Sequence, residues 1–214
     1  MDYSILEVFT AEVIYPPASN NQPATNDTSE SGEGDHTFGM NDGLLDIIRR
    51  TYSLHYRSRT GGVNNSTTIT EAVAIWQDLD NWQPPKTLPE EQYQDLYDSY
   101  TSALFTWLYL ILHPDSMRDD KVQAMVERGV ASMAGITILE LSPFLLVPLF
   151  IHGLASVQEK HRDFISNLFD QIEDTICEDA EVYRTIVERS WDNQDRGMCR
   201  SWEWIQCGDK GAVG

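Results

Sequence analysis

From Leu141 to Val157 the chain carries no formally charged side chain, and most of its residues are apolar. Crossing a bilayer takes about 20 apolar residues. This run has 17, broken by Ser142, Pro143, Pro148, His152 and Gly153, and proline interrupts a helix by removing a donor and clashing with the preceding turn. It is therefore expected to be a proline-broken core segment and not a membrane span. A segment apolar on all sides needs walls with one apolar face each, and that requirement limits what the rest of the chain can be.

The walls read as helices. Leu44, Leu45, Ile47, Ile48, Tyr52 and Tyr56 form a first stripe that ends before Gly61-Gly62. Thr68 and Glu71 have the spacing of a capping box for a second helix bearing Val73, Ile75, Trp76 and Leu79, stopped by Pro84-Pro85. Pro89-Glu90-Glu91 suits a helix start, with proline in the first turn and acids facing the positive end of the dipole. Tyr93, Leu96, Tyr97, Tyr100, Leu104, Trp107 and Leu108 continue it to His113, before Pro114. Asp119-Asp120 opens the next, with Val122, Met125, Val126, Val130 and Met133 on one side. After the apolar run, Val157, His161, Phe164, Ile165, Leu168, Phe169, Ile172 and Ile176 recur with a 3.6-residue period. Tyr183, Ile186, Val187 and Trp191 repeat it, and a last turn is expected around Trp202, Glu203, Trp204 and Ile205. Alternating patterns bounded by turns are nearly absent. The expected fold is all-α: a single multi-helix domain of seven to nine helices.

Charge divides the chain. Residues 1–43 hold eight of the 34 acidic residues and none of the 15 basic ones, and 16–35 is rich in Asn, Ser, Thr, Gly and Pro. Such a composition buries too little to offset its own ordering entropy, so 1–43 is expected to be a largely disordered acidic arm. Within it, Ile5 to Tyr15 is apolar and acidic, suited to a strand or to a helix formed on docking. The helical domain is placed at 44–206 and a flexible tail at 207–214. The net charge of −19 argues against a phosphate backbone as main partner, since DNA affinity comes largely from neutralising phosphates with Lys and Arg. Basic proteins stay open as partners.

The N-terminus lacks the basic start and unbroken apolar stretch of a signal peptide. Cys177, Cys199 and Cys207 are an odd number with no Cys-x-x-Cys spacing. An intracellular, reducing compartment is expected, and there the sequons at Asn26, Asn64 and Asn65 carry little meaning.

Several motifs touch on chemistry without completing it. His161-Arg162-Asp163 spells the start of a kinase catalytic loop, but the position of the metal-binding asparagine holds Leu168, and no glycine-rich loop or Asp-Phe-Gly occurs. Asp119-Asp120 begins the magnesium motif of all-α isoprenoid enzymes, yet Lys121, Val122, Gln123 and Ala124 follow without a third acid; a helix start explains the pair. His36, His55, His113, His152 and His161 include no i, i+4 pair for zinc. His152 lies in the apolar run, where a core histidine bonded to a backbone carbonyl is the commoner case and a pocket-lining role the alternative. No catalytic, cofactor-binding or metal-binding residues are assigned, no cofactor is expected, and the chain is not expected to be an enzyme.

One basic island, Arg49, Arg50, His55, Arg57 and Arg59, lies in an acid-free interval from Ile47 to Thr70. It suits a nucleic-acid patch, a nuclear import signal, or a solvated helix face paired with the acidic arm; against so acidic a background the last is expected. Of six tryptophans, Trp202 and Trp204 near the polar terminus are candidates for partner anchors.

Residues 141–206 resemble the C-terminal part of the fungal-specific transcription factor domain. The carriers are Leu146-Val147-Pro148-Leu149-Phe150-Ile151-His152-Gly153-Leu154-Ala155, Arg162-Asp163-Phe164-Ile165, Ser190-Trp191-Asp192 and Ser201-Trp202-Glu203-Trp204-Ile205. They are similar to the family's Pro-Leu-Phe-Ile-Ala-Gly-x-x-Ala element, its arginine-led helix and its tryptophan closing a later helix. Upstream, Ala103-Leu104-Phe105 through Leu110 resembles the family's helix of apolar residues and tyrosines, which extends the resemblance over 44–206. His152 replaces the usual alanine, and Leu154 stands where cysteine is common. Members bind DNA through six cysteines holding two zinc ions, and three cysteines cannot build that cluster.

The resemblance implies a transcription-regulator-like protein in the nucleus that acts through protein contacts, in control of a metabolic or secondary-metabolite pathway. Its implied partners are the transcription machinery or a full-length zinc-cluster factor, in a homo- or heterodimer, with no direct sequence-specific DNA binding and no membrane. The alternatives are an all-α enzyme of specialised metabolism and a truncated regulator remnant.

Overall fold

The computed structural model describes residues 43–59, 65–84, 91–137, 139–173, 179–197 and Trp202. The arm at 1–42, the sequons at Asn26 and Asn64, all three cysteines, Trp204 and the tail at 207–214 lie outside the described residues. Among the described residues the fold is all-α, with seven α-helices, one 3-10 segment and no strand. We number them α1 (Leu44–Arg59), α2 (Asn65–Asn81), α3 (Glu91–Leu112), α4 (Asp120–Ala134), the 3-10 segment (Leu139–Leu145), α5 (Leu146–Ala155), α6 (Glu159–Glu173) and α7 (Asp179–Asp195).

Two helices make the centre. α3, with 22 residues, is about 33 Å long and packs against α1, α2, α4, α5 and the 3-10 segment. α5 is the expected core segment: all ten of its residues are buried. It packs against α3, α4, α6 and α7, and α6 and α7 also pack on each other. No described helix is long and apolar enough to cross a membrane.

The two prolines of the apolar run fall where a helix tolerates them. Pro143 sits in the 3-10 segment and Pro148 at the third residue of α5, where its missing N–H is one that lacks an intrahelical partner in any case. The run is therefore a 3-10 segment that passes directly into a short α-helix. The Tyr100 hydroxyl ties α3 to the 3-10 segment by donating to the Phe144 carbonyl at 2.7 Å.

Two local expectations fail. α2 begins at Asn65, so Thr68 lies inside the helix and is buried, while Glu71 pairs with Arg57 of α1; no capping box forms because the helix starts three residues earlier. The buried face of α2 is Thr68, Ala72, Ile75 and Leu79, which turns Val73 outward at 44% exposure. Tyr56 is likewise exposed, at the far end of its stripe.

Close approach of α4 and α5 depends on one glycine. Gly129 is buried against His152, and a Cβ added there would overlap the imidazole. Gly129→Ala should gain up to about 1 kcal/mol of helix propensity and lose more, roughly 1–3 kcal/mol, to overpacking. Urea unfolding is expected to give net destabilisation, relieved when His152→Ala is added, because the two side chains compete for one space.

Candidate functional site

The C-terminal end of α5 points its carbonyls into protein, and each receives a donor. Ser156 Oγ donates to His152 O at 2.7 Å, and Trp191 Nε1 to Gly153 O at 2.8 Å. Gln194 Nε2 donates to Leu154 O at 3.3 Å, and Gln123 Nε2 to Ala155 O at 2.9 Å and Met117 O at 2.7 Å. Arg162 Nε donates to Ser156 O at 3.2 Å. A buried carbonyl without a donor costs about 1–3 kcal/mol, so α4, α6 and α7 are registered on α5 by polar side chains set in otherwise apolar faces.

Arg162 is the hub of this cap. Its guanidinium also bonds Asp195 at 2.8 Å and Gln194 Oε1 at 3.3 Å, and lies 5.4 Å from the centre of the Trp191 ring. Arg162 in turn holds the Asp195 carboxyl below the usual carboxylate range. The kinase-like tripeptide is thus a packing element inside α6. Its His161, 2% exposed, faces Glu127 of α4 at 2.8 Å through Nε2, and the carboxylate partner requires that nitrogen to carry the proton. Lys160 reaches the same Glu127 oxygen at 2.7 Å.

His152 is a core histidine bonded to a backbone carbonyl. Its Nε2 lies 3.3 Å from Ser99 O and 3.1 Å from Ser102 Oγ, and the Ser102 hydroxyl already donates to Asp98 O. Two acceptors facing one nitrogen fix the Nε2–H tautomer. Burial pushes its pKa down to about 4. The same tautomer follows at His55, whose Nδ1 accepts from Trp107 Nε1 at 2.9 Å. Burial, with Arg59 nearby, pushes His55 down to about 3. Neither imidazole reaches solvent, so neither is placed to exchange protons with a dissolved substrate.

Trp202 is not a surface anchor. It is 1% exposed, non-helical, and held at both ends of its peptide: its N–H donates to Pro114 O at 3.1 Å, and Arg59 Nη2 donates to its carbonyl at 2.6 Å. Its ring stacks on His55, with centroids 6.5 Å apart and planes at 20°. The expectation failed because a polar sequence neighbourhood says nothing of a tryptophan that folds back over α1 and α3.

The basic island also dissolves on folding. His55 leaves it for the core. Arg50 pairs with Asp78 at 2.7 Å and with Asp46 at 3.5 Å, Arg57 pairs with Glu71, and Arg59 holds Trp202. Asp78 and Glu71 belong to α2, so Arg50 and Arg57 are matched by the neighbouring helix, while Arg49 stays exposed. Asp119 occupies the N-cap position of α4, with Asp120 in its first turn. The Asp119 side chain makes no cap hydrogen bond to the helix; its Oδ2 instead accepts from the Tyr109 hydroxyl at 3.1 Å, so the pair opens the helix by position and by its charge at the positive end of the dipole. Among the described residues no three of His, Cys, Asp and Glu sit together to hold a metal ion.

Sequence reasoning missed Gln123, Gln194 and Glu127, although a polar residue on an apolar stripe was the available signal. Gln123, for instance, stands between Val122 and Val126.

Two measurements follow from this geometry. Trp202→Ala should cost about 3–5 kcal/mol in denaturant unfolding. Trp202→Phe, which keeps a ring and removes an indole N–H that finds no acceptor among the described residues, should cost much less. His55 and His152 would titrate near 6.5 if exposed and are held neutral in the fold. The unfolded chain therefore takes up protons that the folded one refuses. Stability should be full above about pH 6.5 and fall as pH drops toward 4, by up to about 1.4 kcal/mol per pH unit for each histidine. Unfolding at pH 7, 6 and 5 checks the slope, and ring-nitrogen NMR at pH 5.5 should still find both as the Nε2–H tautomer.

Comparison with known families places these features together. The family model described as the fungal specific transcription factor domain matches residues 6–212, a wider span than the 44–206 carried by the packing motifs, and one that takes in most of the acidic arm. No curated protein and no solved structure matches the chain. Several carriers of the resemblance take part in the cap on α5: Trp191 donates to the Gly153 carbonyl, Arg162 to the Ser156 carbonyl, and the Leu154 carbonyl accepts from Gln194. The chain belongs to the fungal specific transcription factor domain family.

Proposed function

We propose that this protein regulates transcription through protein contacts and does not read DNA bases itself. The observation that carries the reading is the family match over 6–212. It is supported by the employment of His55, His152, His161, Arg162 and Asp119 in packing, which leaves the outer helix faces as the domain's working surface. In this reading residues 44–206 form the docking domain, the acidic 1–43 an activation-type segment that orders on a partner, and 207–214 a tail. The partners are components of the transcription machinery or a full-length zinc-cluster factor, in the nucleus. The regulated genes belong to a metabolic or secondary-metabolite pathway.

The test combines a pull-down from nuclear extract, using the intact protein, with RNA profiling of a deletion strain. Recovery of transcription components and altered transcripts in a confined gene set are expected. Asp119→Ala with Asp120→Ala should leave the transcript profile unchanged. Turnover of a small molecule by the isolated protein, or tight site-selective duplex binding by it alone, overturns the reading.

A further inference from the structure

Three arginines share one helix face with an unused hydroxyl. With 3.6 residues per turn, Arg49, Arg50, Ser53 and Arg57 fall within about 100° of the α1 circumference, with Arg49 and Arg50 one turn before Ser53 and Arg57 one turn after it. Ser53 and Arg49 are exposed, and the side chain of neither bonds to a described residue. Arg57 already folds back over Ser53: its Nε donates to the Ser53 carbonyl at 3.2 Å, while its Nη2 holds Glu71 of α2. Arg50 reaches Asp78 of α2 at 2.7 Å.

The other serine and threonine hydroxyls of α1 are taken. Thr51 is buried and donates to Ile47 O at 2.8 Å, and Ser58 donates to His55 O at 2.7 Å. Ser53 combines exposure and an unused oxygen with a place in the acid-free interval from Ile47 to Thr70. Arginines just ahead of a serine, with no acid near, form the charge pattern by which a kinase with an acidic cleft selects its substrate. A phosphate on Ser53 would bring about two negative charges and three acceptor oxygens. Guanidinium groups bind such oxygens in pairs. The order of acid before base at four residues, Ser53 then Arg57, is the favourable one on a helix.

We infer that Ser53 is a phosphorylation site, modified by an arginine-selecting serine kinase, whose phosphate is then held by Arg49, Arg50 and Arg57. Ser53 Oγ attacks the γ-phosphorus of ATP, the bond from that phosphorus to its bridging oxygen breaks, ADP leaves, and the hydroxyl proton passes to the kinase's aspartate. A kinase cleft takes an extended segment, so the reaction catches α1 in a local opening. The helix then re-forms, because the added group sits on its solvent side. There the phosphate competes with Glu71 and Asp78 for Arg57 and Arg50, and so with two ion pairs that join α1 to α2. Modification therefore loosens α2 and turns a cationic strip of α1 anionic. The inference does not depend on the regulatory reading: phosphate on Ser53 is read by mass, and the regulatory role by transcripts.

The folded full chain is incubated at neutral pH with ATP and a kinase that selects arginines in the turn before its serine. Fragment masses should place a phosphoryl group on Ser53, and Ser53→Ala should lose it. Arg49→Gln with Arg50→Gln should slow labelling by about tenfold or more, even though loss of the Arg50–Asp78 pair eases the opening of α1. In the labelled chain, phosphorus NMR should find the second ionisation of the phosphate below its usual value of about 6, and Arg57→Gln should shift it back up. Amide exchange in α2 should quicken about two- to fivefold, the worth of exposed ion pairs. No phosphate on Ser53, or phosphate there only on the denatured chain, overturns the inference. So does an ionisation at or above the usual value, or exchange in α2 that does not change.

Discussion

A helix buried on every side has nowhere to leave its last carbonyls. α5 has ten buried residues, and its C-terminal end faces protein where other helices meet water. Every backbone acceptor there needs a donor. Ser156 supplies one from the residue just past the helix, and Trp191, Gln194, Gln123 and Arg162 supply the others; those last four side chains fix how α4, α6 and α7 approach. The apolar surface of α5 drives burial without specifying orientation; the cap specifies it.

The same economy explains the polar interior of α3. Ser99, Ser102 and Thr106 return their hydroxyls to carbonyls of their own helix, at 2.7 to 2.9 Å, which satisfies them without an outside partner. Being small, they leave room on that side for the His152 ring, and Gly129 leaves room on the other. The imidazole replaces the alanine usual in the family element. Its accommodation rests on a glycine in α4 and on acceptors in α3, so one departure from the family pattern is absorbed by three helices.

The helices of this fold were legible because their apolar stripes repeat every 3.6 residues; the prolines of the apolar run limit α5 to a short helix preceded by a 3-10 segment, although Pro148 itself is accommodated in the first turn of α5 and does not break it. The proposed capping box at Thr68 was not reliable, since a box is a spacing that many sequences meet, while the helix start depends on where α2 leaves its loop and meets α1. Trp202 illustrates the larger limit. Its burial comes from Pro114 and Arg59, 88 and 143 positions away, and no window of sequence contains that contact. The partners of Arg50 and Arg57 were hidden for the same reason: Asp78 and Glu71 meet them only once α1 and α2 lie side by side.

That pairing shapes what the molecule presents outward. Arg50, Arg57, Arg59, Lys160, Arg162 and Arg184 each hold an acid or a carbonyl of the fold, so a good share of the 15 basic residues is committed inside the domain. The surplus acid is left to face solvent. A polyanion meeting this surface gains few new contacts and meets repulsion at each exposed carboxylate. A protein partner has two ways in: through complementary positive charge, or through a face where charge is absent.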